Sequence, residues 1–109
     1  MYEKKLLDNG IYKIETLALD DTNDLICFYE DKDGTITDDG YLFNELSNKP
    51  RIMAENFDYV SKLINRCDEI ARRYDVVFND EFEFVIKNSD EPKAVTRLIQ
   101  VATLITNLY

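Results

Sequence analysis

Apolar and polar positions alternate loosely from Ile11 to Leu19 (IYKIETLAL), the period of a β-strand with one face in a core. The Asp20 to Asp24 cluster (DDTND) breaks that pattern as a turn. Leu25 to Glu30 (LICFYE) is then a nearly continuous apolar run of strand length, which predicts a central strand covered on both faces. Asp33-Gly34 supplies a two-residue turn, Thr35-Ile36-Thr37 the returning strand, and Asp38-Asp39-Gly40 ends it. Tyr41 to Leu46 predicts a short helix with Leu42, Phe43 and Leu46 on the core.

A long helix is expected between Pro50 and Arg73, because Phe57, Val60, Ile64, Cys67, Ala71 and Tyr74 recur every three or four residues. A second hairpin follows: Val76-Val77-Phe78, an Asn79-Asp80 turn, and Glu81 to Lys87 with Phe82, Phe84 and Ile86 on one face. Asn88-Ser89-Asp90 caps a last helix that carries Pro92 in its first turn, where the missing N–H costs nothing. Thr96, Gln100, Thr103 and Asn107 form its one narrow polar stripe, and so wide an apolar arc asks for cover from several elements or a second subunit. The order β-β-β-α-α-β-β-α predicts an α+β domain spanning residues 1–109, with an antiparallel or mixed sheet of about five strands and helices on one face.

Charge changes the picture more than length does. The 109 residues suit one domain with a core that needs no disulfide or metal, but the formal charge is −9. Such a chain repels nucleic acid and anionic membranes and is drawn to basic surfaces. Nine of the carboxylates lie between residues 20 and 45, at Asp20, Asp21, Asp24, Glu30, Asp31, Asp33, Asp38, Asp39 and Glu45, against the single base Lys32. Asp favours turns for local reasons, which accounts for Asp33 and Asp38; it accounts less well for the missing lysines. An electronegative recognition face is therefore expected there, with Tyr29 and Tyr41 as aromatic contact surface.

Candidate chemistry is sparse. The chain has no histidine, which removes the commonest general base and every Ser/His or Cys/His arrangement. Cys27 and Cys67 each sit in an apolar pattern and read as structural thiols. The three glycines are isolated in turns, so no phosphate loop exists. Asp31 to Thr37 (DKDGTIT) imitates a calcium loop, yet aligning Gly34 with the obligatory glycine leaves Tyr29 and Gly40 where the two essential carboxylates belong. A metal-dependent nuclease is the enzymatic alternative, with Asp20 or Asp24 placed before Glu30-Asp31-Lys32. Glu-x-Lys also occurs at Glu3/Lys5 and Glu91/Lys93, and the acidic surroundings oppose a DNA track. No cofactor and no metal are expected. The first residues, Met-Tyr-Glu-Lys-Lys, do not read as a signal peptide and no apolar run reaches transmembrane length, so a cytoplasmic address is expected.

Asn23-Asp24-Leu25-Ile26, the Thr37-Asp38-Asp39-Gly40 turn, Asn44-Glu45-Leu46 and the last helix from Arg97-Leu98-Ile99-Gln100 to Leu108 together resemble an uncharacterised bacterial and phage domain family. The resemblance covers about residues 14 to 109. It departs at Leu17-Ala18, where that family tends to carry Pro-Phe, and the helix that usually precedes the first strand is mostly missing. It implies no catalytic residues, only a setting in Gram-positive bacteria, their phages and other mobile elements. Taken with the charge, it makes a non-catalytic protein-binding module the leading expectation. The form it suggests is an inhibitor of a host nucleic-acid enzyme, of the anti-CRISPR or anti-restriction type, acting by phosphate mimicry. The partner would be a basic protein surface such as a nuclease, met by Asp20, Asp21, Asp24, Glu30, Asp31, Asp33, Asp38, Asp39 and Tyr41, with no direct nucleic acid and no membrane involved. A further alternative is a homodimer through residues 94–109.

Overall fold

The computed structural model describes residues 2–49, 57–87 and 90–108. Among these, six strands and three helices run in the order β1 (Tyr2–Leu6), β2 (Tyr12–Leu19), β3 (Leu25–Glu30), β4 (Thr35–Thr37), α1 (Tyr41–Ser47), α2 (Phe57–Arg73), β5 (Val77–Phe78), β6 (Phe84–Lys87) and α3 (Glu91–Thr106). Every pairing is antiparallel and the spatial order is β1-β2-β3-β4-β6-β5, so the chain leaves the sheet after β4, builds two helices, and returns beside β4. The expected α+β architecture holds, with one strand more than expected. Residues 50–56, in the expected start of the long helix, and Asn88-Ser89 of the expected cap lie outside the described residues.

One sheet face makes the core. Ile14, Ile26, Phe28, Ile36 and Phe84 point from β2, β3, β4 and β6 against Leu42, Phe43 and Leu46 of α1, Leu63, Cys67, Ile70 and Ala71 of α2, and Ala94, Val95, Leu98, Val101, Ala102 and Ile105 of α3. Burying a side chain of the Ile, Leu or Phe class is worth about 1.5–3 kcal/mol. The apolar arc of α3 is thus spent inside the monomer; Leu104 is its one large exposed apolar side chain among the described residues. Among the described residues, α3 therefore offers little apolar surface to a dimer through residues 94–109.

The opposite sheet face is left open by the described residues. Leu25 is 49% exposed, and Cys27 and Tyr29 are half-buried on this side. β3 is therefore covered on one face rather than both.

Three local expectations change. The strand β1 was not expected, because Glu3, Lys4 and Lys5 break any apolar alternation. It forms because Lys4, facing the core side beside Ile14, finds the carboxylates of Glu30 (2.7 Å) and Glu91. The buried face of α2 runs through Leu63, Cys67, Ile70 and Ala71: Cys67 and Ala71 fall where the spacing placed them, while Leu63 and Ile70 are buried in place of the half-buried Val60 and Ile64. Phe82 is not in a strand. Asn79 Oδ1 accepts the N–H groups of Glu81 and Glu83, the Asn79 N–H donates to the Glu83 carbonyl, and Phe82 sits at φ 62° with its ring stacked 4.8 Å from that of Phe43. A side chain that bonds its own loop outcompetes two rungs of a ladder.

Candidate functional site

β3 separates the acidic segment into two groups. Its beginning meets the β2–β3 turn (Asp20 to Asp24), and the β4–α1 turn (Asp38 to Gly40) passes beside its middle, since Thr37 pairs with Tyr29 and the Tyr41 hydroxyl reaches Asp20. Its far end carries the β3–β4 turn with Asp31 and Asp33. The six residues of β3, roughly 20 Å of rise, separate Asp31 and Asp33 from the β2–β3 turn, and the three residues of β4 separate them from Asp38 and Asp39. The nine carboxylates do not form one surface.

Several of them are structural. Asp38 is 1% exposed, and its carboxylate accepts three backbone N–H groups: Gly40 (3.1 Å) and Phe84 (2.9 Å) at Oδ1, and Leu42 (2.9 Å) at Oδ2. It ties the start of α1 to β6. Burial pushes this carboxyl up, against the downward pull of those three donors. The next two residues, Asp39 (φ 59°) and Gly40 (φ 79°), are both left-handed, and Tyr41 donates its N–H back to the Asp38 carbonyl. This is the I′ pattern that favours Asp-Gly, so Thr37-Asp38-Asp39-Gly40 is explained as the device that turns β4 into α1.

Asp20, also buried, gathers the β2–β3 turn in the same manner. Its Oδ1 accepts from the N–H groups of Thr22 and Asp24 and from the Thr22 hydroxyl, and its Oδ2 accepts from the Tyr41 hydroxyl at 3.1 Å. Burial raises its pKa, but these donors together hold the carboxyl below its ordinary value. Burial, and after it the same contact, pushes the Tyr41 phenol up to about 12. Asp21 is neutralised by Lys49 at 2.8 Å and bonded to the Thr106 hydroxyl, which fastens the turn to the C-terminal end of α3; its carboxyl is held low by Lys49 first. Glu30 faces the helices and pairs with Lys4. At the far turn, Asp31 Oδ1 accepts the N–H groups of Asp33 and Thr35, which closes the β3–β4 hairpin.

Asp24, Asp39 and Glu45 remain exposed at the first end, and Asp31 and Asp33 at the other. Asp24 and Asp39 rim a cleft of about 660 Å³ on the open sheet face, floored by Leu25, Cys27 and Tyr29 and closed at one side by Tyr41 and Asn44 of α1. Lys13 enters it from β2, directly across from Tyr29 in the register. Lys13, Leu25, Cys27 and Asn44 were not among the expected site residues. The alternation of β2 and β3 places Lys13 and Tyr29 on one face each, but the pairing of residue 13 with residue 29 is not readable along the chain.

The cleft offers charge and aromatic surface more than reactivity. The Cys27 thiol is pushed up by burial and the Tyr41 phenol likewise, both away from their nucleophilic forms. Asp20 and Asp24 stand at one end of β3 and Glu30, Asp31 and Lys32 at the other, so the nuclease arrangement is not assembled. Among the described residues no three His, Cys, Asp or Glu side chains converge as a metal site. Among the same residues, no helix is long and apolar enough to cross a membrane. No family model, curated protein or solved structure matches the chain, so nothing is carried over from the likeness of its turns to a bacterial and phage family.

Proposed function

We propose that this protein is a non-catalytic binding module that docks the acidic end of its sheet on a basic protein surface. The observation that carries the reading is the cleft on the uncovered sheet face, rimmed by the exposed carboxylates of Asp24 and Asp39 and walled by Tyr29 and Tyr41, with Glu45 nearby on α1. Aromatic rings beside fixed charge are the composition of contact hot spots, and the surrounding negative potential accelerates encounter with a basic partner. A nucleic-acid enzyme held off its substrate by phosphate mimicry is one such partner. The mimicking face is then the three carboxylates Asp24, Asp39 and Glu45, since Asp20, Asp21, Glu30 and Asp38 are engaged internally.

The test is a pull-down from the host followed by a binding titration with the captured partner. Asp24→Lys/Asp39→Lys/Glu45→Lys is expected to abolish capture while circular dichroism stays that of the folded chain. Asp31→Lys/Asp33→Lys, at the far end, is expected to leave capture intact. Capture that survives the first variant refutes the reading. For a nucleic-acid enzyme, DNA or RNA added in excess is expected to displace the module competitively.

A further inference from the structure

We infer that the β1 edge is a self-association surface, and that two copies of this chain join their sheets there into one continuous antiparallel sheet. The two sheet edges are unequal. β5 ends one side with two residues, whereas β1 presents five residues that pair on one side alone with β2. Across the β1–β2 turn, Leu7 donates its N–H to the Ile11 carbonyl at 2.8 Å. In an antiparallel ladder bonding alternates, so Glu3 and Lys5 direct their backbone groups to β2 while Tyr2, Lys4 and Leu6 direct theirs outward.

A two-fold axis through Lys4 makes those outward groups meet. Lys4 then bonds Lys4 of the other copy and Tyr2 bonds Leu6, about six backbone hydrogen bonds in all. The side chains agree with this register. Glu3 falls opposite Lys5 of the other copy, twice, on the open sheet face, in the closely spaced non-bonded positions where cross-strand charge pairs act most strongly. Within one copy Glu3 stands across from the like charge of Glu15, which pairs with Lys5 at 3.0 Å, so in the dimer each Lys5 ammonium is shared between Glu15 of its own chain and Glu3 of the other copy. On the helix side, Leu6, 64% exposed, gains Tyr2 as its neighbour.

Lysine on an edge strand ordinarily guards against pairing. Here the Lys4 ammonium is already held by Glu30 at 2.7 Å and by Glu91, so the two lysines do not meet as bare charges. The occupant is a second copy because the Tyr-Glu-Lys-Lys-Leu order is complementary to its own reverse about Lys4. This surface is separate from the acidic cleft and does not depend on its function.

Sedimentation velocity and light scattering on the full chain test it. The expected species has twice the 12.8 kDa chain mass. Glu3→Lys and Lys5→Glu each set like charges opposite one another in both symmetry-related pairs, and each is expected to raise the dimer dissociation constant about tenfold or more. The double variant Glu3→Lys/Lys5→Glu restores complementarity and is expected to return to within about threefold of wild type, the pairing energy being similar with the charges exchanged. Glu3 and Lys5 are both exposed, so circular dichroism is expected to show an unchanged fold in all three variants. A wild-type chain that stays monomeric up to roughly 1 mM overturns the inference. A dimer indifferent to the single variants, or a folded double variant that stays as weak as they are, overturns it equally.

Discussion

Replacing Asp38 probes the structural reading of the acidic segment most directly. Its carboxylate accepts the N–H groups of Gly40, Leu42 and Phe84. In Asp38→Ala the Leu42 and Phe84 amides, at residues 3% and 0% exposed, lose a charged acceptor with no water to replace it. Each such orphaned donor costs about 1–3 kcal/mol. The half-buried Gly40 amide can be hydrated and adds little. Relief of carboxylate burial, the same effect that pushes the Asp38 carboxyl up, returns part of the loss. The expected net destabilisation is about 3 kcal/mol, a large share of the 5–15 kcal/mol typical of a domain. Asp38→Asn keeps the oxygen that serves Gly40 and Phe84 and turns an amide N–H₂ toward Leu42, so it is expected to fall about halfway. Asp39→Ala, one residue along and exposed, is the control and is expected to stay within about 0.5 kcal/mol of wild type. Equilibrium urea unfolding reads all three, provided that the transition slopes agree. An Asp38→Ala cost under about 1 kcal/mol, or an Asp39→Ala cost equal to it, would refute the assignment of one acid inward and the other outward.

Other outcomes follow from the same geometry. Asp20 and Asp21 have depressed carboxyl pKa values, so the stability they contribute is present above the ordinary Asp value and drains away as pH falls through their folded values, below about pH 4. Asp38, with its raised value, acts in the opposite sense, because the native state takes up that proton first. Asp21→Asn is therefore expected to flatten the acid limb of stability against pH; an unchanged limb would show that the Lys49 pair contributes nothing. Thiol labelling is expected to modify Cys27 in the native protein and Cys67 on unfolding alone, since Cys67 is fully buried and its pKa is pushed up to about 12 by burial. Labelling of both at one rate would contradict the packing of α2. Gly40→Ala forces a Cβ onto a residue at φ 79° and is expected to cost about 1–2 kcal/mol in urea unfolding, while a neutral result would mean that the turn is not left-handed there.

Much of the element order is legible along the chain because its signals are local. The alternation of Ile11 to Leu19, the turn chemistry of Asp20 to Asp24 and the Asp90/Pro92 start of α3 each act within a few residues, and the structure follows them. β1 escaped because its stability comes from Glu30 and Glu91, far along the chain, which accept the inward-pointing ammonium of Lys4. Phe82 was misplaced because the period of two persists through a loop that Asn79 closes on itself.

The acidic segment shows the same division at the level of the site. Composition alone determined that charge accumulates between residues 20 and 45, and turn propensity alone determined that much of it lies in turns. Which carboxylates remain available was decided by folding. Antiparallel pairing puts successive turns at opposite ends of a strand, sending Asp31 and Asp33 away from Asp24 and Asp39. Donors brought from distant segments then consume Asp20 through Tyr41, Asp21 through Lys49 and Asp38 through Phe84. Charge is a property of the residue, whereas exposure and partnership depend on what the rest of the chain packs against it.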